Sequence, residues 1–298
     1  MEFLRLTAGV PHQRAIDASC VEAVAQFEAA GITVVLLKGP VTAEWLYGDG
    51  EPRWYNDCDL LLSEANLEAA GEVLTGLGYR RRPRAPEDPA LIADEHSVVW
   101  FREQDDVAIE LHWTLVGLQT SHQAAWEALS RDTLPISINR MQMGSLSEPG
   151  RALHLALHLA QHGSTMHQPL EDLRRAVATL SFDTWTAARE LSARLSGDSA
   201  FAAGLRACPG GVELAERLQL PPASRYWTLR AQGAPRGAVR LHMLTDAAGW
   251  RERWVILQEG LARYREFSEE RRQLSGLARL RASAADLVAA LRAVARSR

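Results

Sequence analysis

Apolar and polar residues keep two different rhythms along this chain, and each rhythm predicts its own kind of element. Residues 15–30 repeat apolar positions at helical spacing and stop at Gly31, which reads as a helix with a glycine stop. Residues 32–37 are a short β-branched apolar run, the mark of a buried strand. Gly39 and Pro40 then open a short helix over 41–47 that Gly48 closes, since proline suits the first helical turn. A second strand is predicted at 57–62 and a helix at 65–77 ended by Gly78. Residues 97–101 and 107–115 read as a hairpin across Glu103, Gln104, Asp105 and Asp106. The stretch 80–89, rich in Arg and Pro, reads as a loop.

From Glu148 onward the period becomes 3.6, with helices predicted at 149–162, 170–180, 184–195, 212–218, 250–267 and 284–295. Pro221, Pro222 and residues 233–237 punctuate them. The change of rhythm at Ser147, Glu148, Pro149 and Gly150 divides the chain into a small mixed-sheet domain, residues 1–147, and an all-helical domain, residues 148–298. The expected class is α/β in the α+β sense.

Composition narrows this picture. At 298 residues with 47% apolar side chains the chain can bury a sizeable core, which excludes a disordered protein. A formal charge of −4 excludes a whole-protein basic field for non-specific nucleic-acid binding, though not RNA as a substrate. Cys20, Cys58 and Cys208 are odd in number and widely spaced, so neither a disulfide framework nor a zinc finger is expected. No apolar run approaches the roughly 20 residues of a membrane span, and the N-terminus shows no signal-peptide core. A cytoplasmic protein without a membrane partner is expected. Of the 33 basic residues, Lys38 is the one lysine. Codon usage explains the arginines, but a surviving lysine marks a place where a compact ammonium is wanted.

The candidate chemistry gathers around that lysine. On the strand 57–62 alternate side chains share a face, so Asp57 and Asp59 point together while Cys58 and Leu60 point to the core. Paired carboxylates repel unless a cation sits between them, and Mg²⁺ or Mn²⁺ takes such oxygens along with substrate phosphate. Glu110 is the candidate third carboxylate, because Ile109, Leu111 and Trp113 form one face of their strand and leave Glu110 and His112 on the other. Upstream, Lys38 and Gly39 lead a strand into a helix N-terminus, where free N–H groups and the positive helix end suit a triphosphate. Together these features describe in-line transfer at an α-phosphorus with pyrophosphate leaving. Asp57, Asp59 and Glu110 would be catalytic metal ligands, and Lys38, Gly39, His112 and Arg53 the phosphate-side groups. Arg53 could instead pair with Asp57 or Asp59.

These residues resemble a known family. Lys38-Gly39, a short helix holding Leu46-Tyr47, Arg53, then Asp57-Cys58-Asp59-Leu60-Leu61, a later Glu110-Leu111-His112-Trp113 and a histidine-rich helix look like the uncharacterised nucleotidyltransferases, over about residues 11–180. The resemblance implies a polymerase-β-like nucleotidyltransferase fold, an NTP co-substrate such as ATP, and a role in biosynthetic clusters such as those for lasso peptides. The acceptor would then be a peptide or a small molecule. Broader members of that fold carry Gly-Ser or Gly-Gly in the nucleotide loop, where this chain has Lys38-Gly39-Pro40, so gripping phosphate falls to Lys38 and the backbone. The same skeleton is similar to abortive-infection toxins that modify tRNA, which implies a second reading. A third is a catalytically silent nucleotide-binding module, against which the intact carboxylate trio argues.

Two features stand outside that motif. His154, His158 and His162 recur every four residues and form one helical stripe, with Asp172 or Glu171 as candidate partners. The stripe reads as a zinc site, a structural network or a face of the cleft. Residues 263–298 hold nine arginines against four acids, a basic amphipathic stripe that reads as a closing helix or an acidic-partner surface. Oligomeric state leaves no mark in the sequence.

Overall fold

The structure, a computed structural model, describes residues 10–48, 52–82, 96–235, 238–239, 242–244, 249–250 and 254. The predicted helix 284–295 and the basic stripe lie outside the described residues, as does nearly all of the predicted helix 250–267 and most of the loop 80–89. The observed class is mixed α and β, as the alternating rhythm predicts.

Among the described residues the chain gathers into two compact units, one built from residues up to 82, 96–155 and 172–197, the other from 156–171 and from 198 onward. The first unit carries a seven-stranded sheet in the order β3-β4-β5-β2-β1-β7-β6. Its strands are β1 (Val34–Leu36), β2 (Asp57–Leu62), β3 (Arg80–Arg81), β4 (Ser97–Arg102), β5 (Val107–His112), β6 (Leu134–Ile138) and β7 (Met141–Ser145). The centre is mixed, because β2 runs antiparallel to β1 but parallel to β5. Its helices are α1 (Val10–Ala29), α2 (Pro40–Tyr47), α3 (Leu67–Gly76), α4 (His122–Ser130) and α7 (Phe182–Arg194).

Helix α1 buries Ile16, Cys20, Ala23, Val24 and Phe27 in the same core as Cys58, Leu60 and Leu62 of β2. Each such aliphatic or aromatic side chain contributes about 1.5–3 kcal/mol on burial. The alternate residues of β2 are thereby committed to the core, and Asp57, Asp59 and Leu61 are left on the opposite face. The β6–β7 hairpin and α4 were not predicted. Pro135 sits in β6, which is tolerable because β6 is an edge strand, and Asn139 and Arg140 turn the hairpin with φ of 49° and 71°. The short β3 falls at the start of the stretch expected to be loop.

Helices α5 (Glu148–His162) and α6 (His167–Thr179) run on from the sheet, and the division between the units falls within each of them. In the second unit α8 (Asp198–Arg206), α9 (Gly211–Arg217) and α10 (Arg225–Ala231) follow. Gly204 of α8 lies so close to α5 that a Cβ there would meet the Ala156 carbonyl oxygen at 1.9 Å. No helix among the described residues is long and apolar enough to cross a membrane.

Candidate active site

Strand register assembles the acidic cluster. In the parallel pairing of β2 with β5, Asp59 stands opposite Glu110 and Leu61 opposite His112. Side chains two apart share a face, so Asp57, Asp59, Glu110 and His112 converge on one side of the sheet centre. One carboxylate oxygen each from Asp57, Asp59 and Glu110 lie within 4.8 Å of one another. That spacing fits a hard divalent cation held by oxygens.

Lys38 enters the cluster from the end of β1. The Leu37 amide donates to the Asp59 carbonyl at 3.0 Å, which extends the β1–β2 pairing to the lysine's doorstep. Lys38 Nζ then lies 3.0 Å from Asp59 Oδ2 and 3.9 Å from Asp57 Oδ1. His112 Nε2 is 3.0 Å from the other Asp59 oxygen and 3.7 Å from Glu110 Oε1. Ser97 on β4 donates its hydroxyl to Glu110. Asp59 Oδ2, fully buried, has its ion pair with Lys38 but no aligned hydrogen bond, an oxygen with capacity left for a cation.

The charges are unequal to their surroundings. Burial alone would raise every carboxyl here. It pushes Asp57 up to about 6, with the neighbouring Asp59 charge adding to the rise. Asp59 goes the other way: against its burial, the Lys38 ammonium and the His112 hydrogen bond hold it well below the usual carboxylate range. Glu110 is lowered as well, against burial, chiefly by His112. Lys38 is raised in spite of its burial, because three carboxylates surround it. One ammonium faces three carboxylates and balances only one negative charge.

Gly39 follows Lys38 with φ 71°, a left-handed conformation that favours glycine, and precedes Pro40 at the start of α2. The Gly39 carbonyl accepts from Arg53 Nη1 at 3.3 Å. Arg53 is 6% exposed, and its other donors reach Asp172, Nε to Oδ1 at 2.9 Å and Nη2 to Oδ2 at 2.7 Å. Tyr47 donates to the same carboxylate at 2.6 Å, with Arg175 4.1 Å over its ring. Arg53 is therefore engaged with Asp172 and the loop backbone, and the structure places it with neither Asp57 nor Asp59. Asp172 thus holds both Arg53 and Tyr47.

The histidine stripe divides. His154 belongs to the first unit, where it hydrogen-bonds the Leu37 backbone. Burial, reinforced by the Lys38 and His112 charges, lowers it to about 3, so it stays neutral beside the cluster. His158 and His162 lie in the second unit with ring centroids 4.5 Å apart, edge to face. The stripe is not among the three-ligand groupings found in the described residues. Ser97 is a site residue that the sequence reading missed, and His96 one that it ranks below His112 as a cleft candidate. Only the hairpin register, which sets Ser97 opposite His112, could have revealed the former.

A family model described as "uncharacterised nucleotidyltransferase" matches residues 8–209, more than half of the chain. The chain belongs to that family. This nucleotidyltransferase has no match among curated proteins. Three solved structures are similar to it at low identity. They are ANT(2")-Ia in complex with adenylyl-2"-tobramycin (10% identity, 60% of this chain and 97% of that chain, TM-score 0.42), the lincosamide antibiotic adenylyltransferase LnuA bound to lincomycin (11%, 53% and 93%, TM-score 0.36), and an antigenic nucleotidyltransferase-like protein from Paracoccidioides brasiliensis (11%, 72% and 95%, TM-score 0.40). The nucleotidyltransferase assignment rests on the family match.

Proposed function

We propose that this nucleotidyltransferase moves a nucleoside monophosphate from an NTP to an oxygen of an acceptor, using a divalent cation of the Mg²⁺ or Mn²⁺ class held by Asp57, Asp59 and Glu110. The observation that carries the reading is the convergence of three carboxylate oxygens within 4.8 Å around a single ammonium. Buried like charges are costly, and a fold that keeps them has a cation to bind. Bound there, such an ion neutralises phosphate charge and polarises the α-phosphorus.

The chain's own residues supply the rest. Asp59, held ionised by Lys38 and His112, is ready to ligate without first losing a proton. Glu110, oriented by Ser97 and lowered by His112, also remains ionised and acts as a ligand. Lys38 holds positive charge at the carboxylates, and a bound triphosphate offers its ammonium phosphate oxygens as further partners. The Gly39 turn and the α2 N-terminus present backbone N–H groups to that tail. The acceptor oxygen bonds to the α-phosphorus as the bond to pyrophosphate breaks. Acceptor choice would lie with the helices after residue 147, the proposed second domain, and the acceptor would be a small molecule or a peptide.

Calorimetry tests the assignment. ATP or GTP should bind with Mg²⁺ present, and Asp59→Asn should abolish that binding while circular dichroism stays unchanged. Undiminished binding by the folded variant removes the metal role.

A further inference from the structure

Beside the oxygen cluster lies a second set of ligand atoms of different chemistry. His96, Glu110 and His112 each offer one, and these three atoms also lie within 4.8 Å of one another. Both imidazoles are buried, at 5% and 7% exposure, with ring centroids 5.7 Å apart. Glu110 is half-buried and opens the set toward solvent.

The hairpin holds this set in place. Ser97 pairs with His112 across β4 and β5. One step outward, the Trp113 amide donates to the His96 carbonyl at 3.0 Å, so His96 is tied to the strand ladder although it precedes β4. Ser97 orients Glu110. Asp59 Oδ1, 3.0 Å from His112 Nε2, supplies the carboxylate that fixes an imidazole's tautomer and ring orientation in metal sites. Rigid elements with supported side chains are what a ligand set needs.

We infer that His96, Glu110 and His112 form a second cation site, taking a borderline transition-metal ion such as Zn²⁺ through two imidazoles and one carboxylate. Imidazole ligands suit Zn²⁺, Cu²⁺, Fe²⁺ and Ni²⁺ rather than Mg²⁺. Two histidines with one glutamate form a three-ligand set that leaves a coordination position open. The inference goes beyond nucleotidyl transfer and touches it at two points, Glu110, which belongs to both sets, and the Asp59–His112 contact.

Co²⁺ is the spectroscopic probe, used on the full chain by equilibrium dialysis and visible absorption. The wild-type chain should bind Co²⁺ with the intense visible bands of low-coordinate nitrogen and oxygen ligation, and Asp57→Asn should keep them. His96→Gln should lower Co²⁺ affinity by more than the roughly 10–100-fold that losing an outer-shell partner costs. Bands retained in His96→Gln and lost in Asp57→Asn would put the ion in the oxygen set and overturn the proposal. If His96→Gln does not fold, imidazole nitrogen NMR of the unaltered chain decides. Zn²⁺ should shift the His96 and His112 signals and leave His122, which pairs with Glu64 at 2.8 Å, in place. Unmoved His96 and His112 signals overturn the site. Failure of Mg²⁺-supported NTP binding with the Co²⁺ bands intact counts against the proposed function alone.

Discussion

Two clusters of buried charge meet at the Lys38–Gly39 turn, and they are opposites. In the Arg53–Asp172–Tyr47 cluster the guanidinium meets both carboxylate oxygens, and its remaining nitrogen donates to the Gly39 carbonyl. In the Asp57–Asp59–Glu110 cluster three carboxylates share one lysine, and a buried oxygen lacks an aligned hydrogen bond. Matched charge ties down the Gly39 carbonyl, while unmatched charge is what the proposed cation would complete. The two demands are divided between residues only a few positions apart in sequence.

The sharpest test of that division is stability. Arg53→Ala takes from buried Asp172 the guanidinium that meets both its oxygens and should cost about 3–5 kcal/mol in urea unfolding. Arg53→Met combined with Asp172→Leu should recover much of the loss, because a well-packed apolar pair replaces a satisfied ionic one. If Arg53→Ala unfolds no more readily than the wild type, the cluster is not structural and the comparison breaks.

Asp57→Asn should behave in the opposite way. Its carboxyl rises from 3.8 to about 6 on folding. Between those values the folded chain holds a proton that the unfolded chain has released, so this group makes stability fall as pH rises through the window. The amide removes that dependence. At neutral pH Asp57→Asn should be as stable as the wild type or more so while losing Mg²⁺-supported nucleotide binding, as read by thermal melting beside calorimetry. A large drop in melting temperature would mean that Asp57 belongs with the matched charges.

The smallest effect concerns a matched cluster near the surface. Arg102 reaches Asp105 at 2.7 Å and Glu22 at 2.7 Å, and Ser19 donates to Asp105 at 3.0 Å. Against partial burial, Arg102 lowers the Asp105 carboxyl. A lowered acid contributes stability that is complete above its unfolded value and fades as pH falls through the folded one. Asp105→Asn should therefore flatten the acid limb of the stability curve below about pH 4, by no more than about 1 kcal/mol. An unchanged limb would show that solvent screens the pair completely.

Much of the first unit was legible from local pattern. The strand 57–62 was read residue for residue because its carboxylates alternate with Cys58 and Leu60, and the hairpin at 97 and 107 because a polar turn separates two apolar runs. Asp57, Asp59 and Glu110 came from the same arithmetic of faces, and Lys38 from being the one lysine, set just before Gly39. What escaped was non-local or unpatterned. Arg53 and Asp172 are 119 residues apart, and no spacing announces that partnership. Residues 200–205 of α8 are all buried, so the helix has no polar stripe to betray it. Helix α10 has only seven residues, although Ser224, which caps it by accepting from the Trp227 amide, was a signal that could have been read.

Strand β2 also limits how this protein can change over time. Cys58 touches Cys20 in the core, while Asp57 and Asp59 on either side of it face the carboxylate cluster. Loss or gain of one residue in the strand would turn the carboxylates into the core and the thiol outward, ruining packing and chemistry in a single event. Lineages can therefore edit β2 by substitution or by steps of two residues, and length variation must be absorbed in the connections around it.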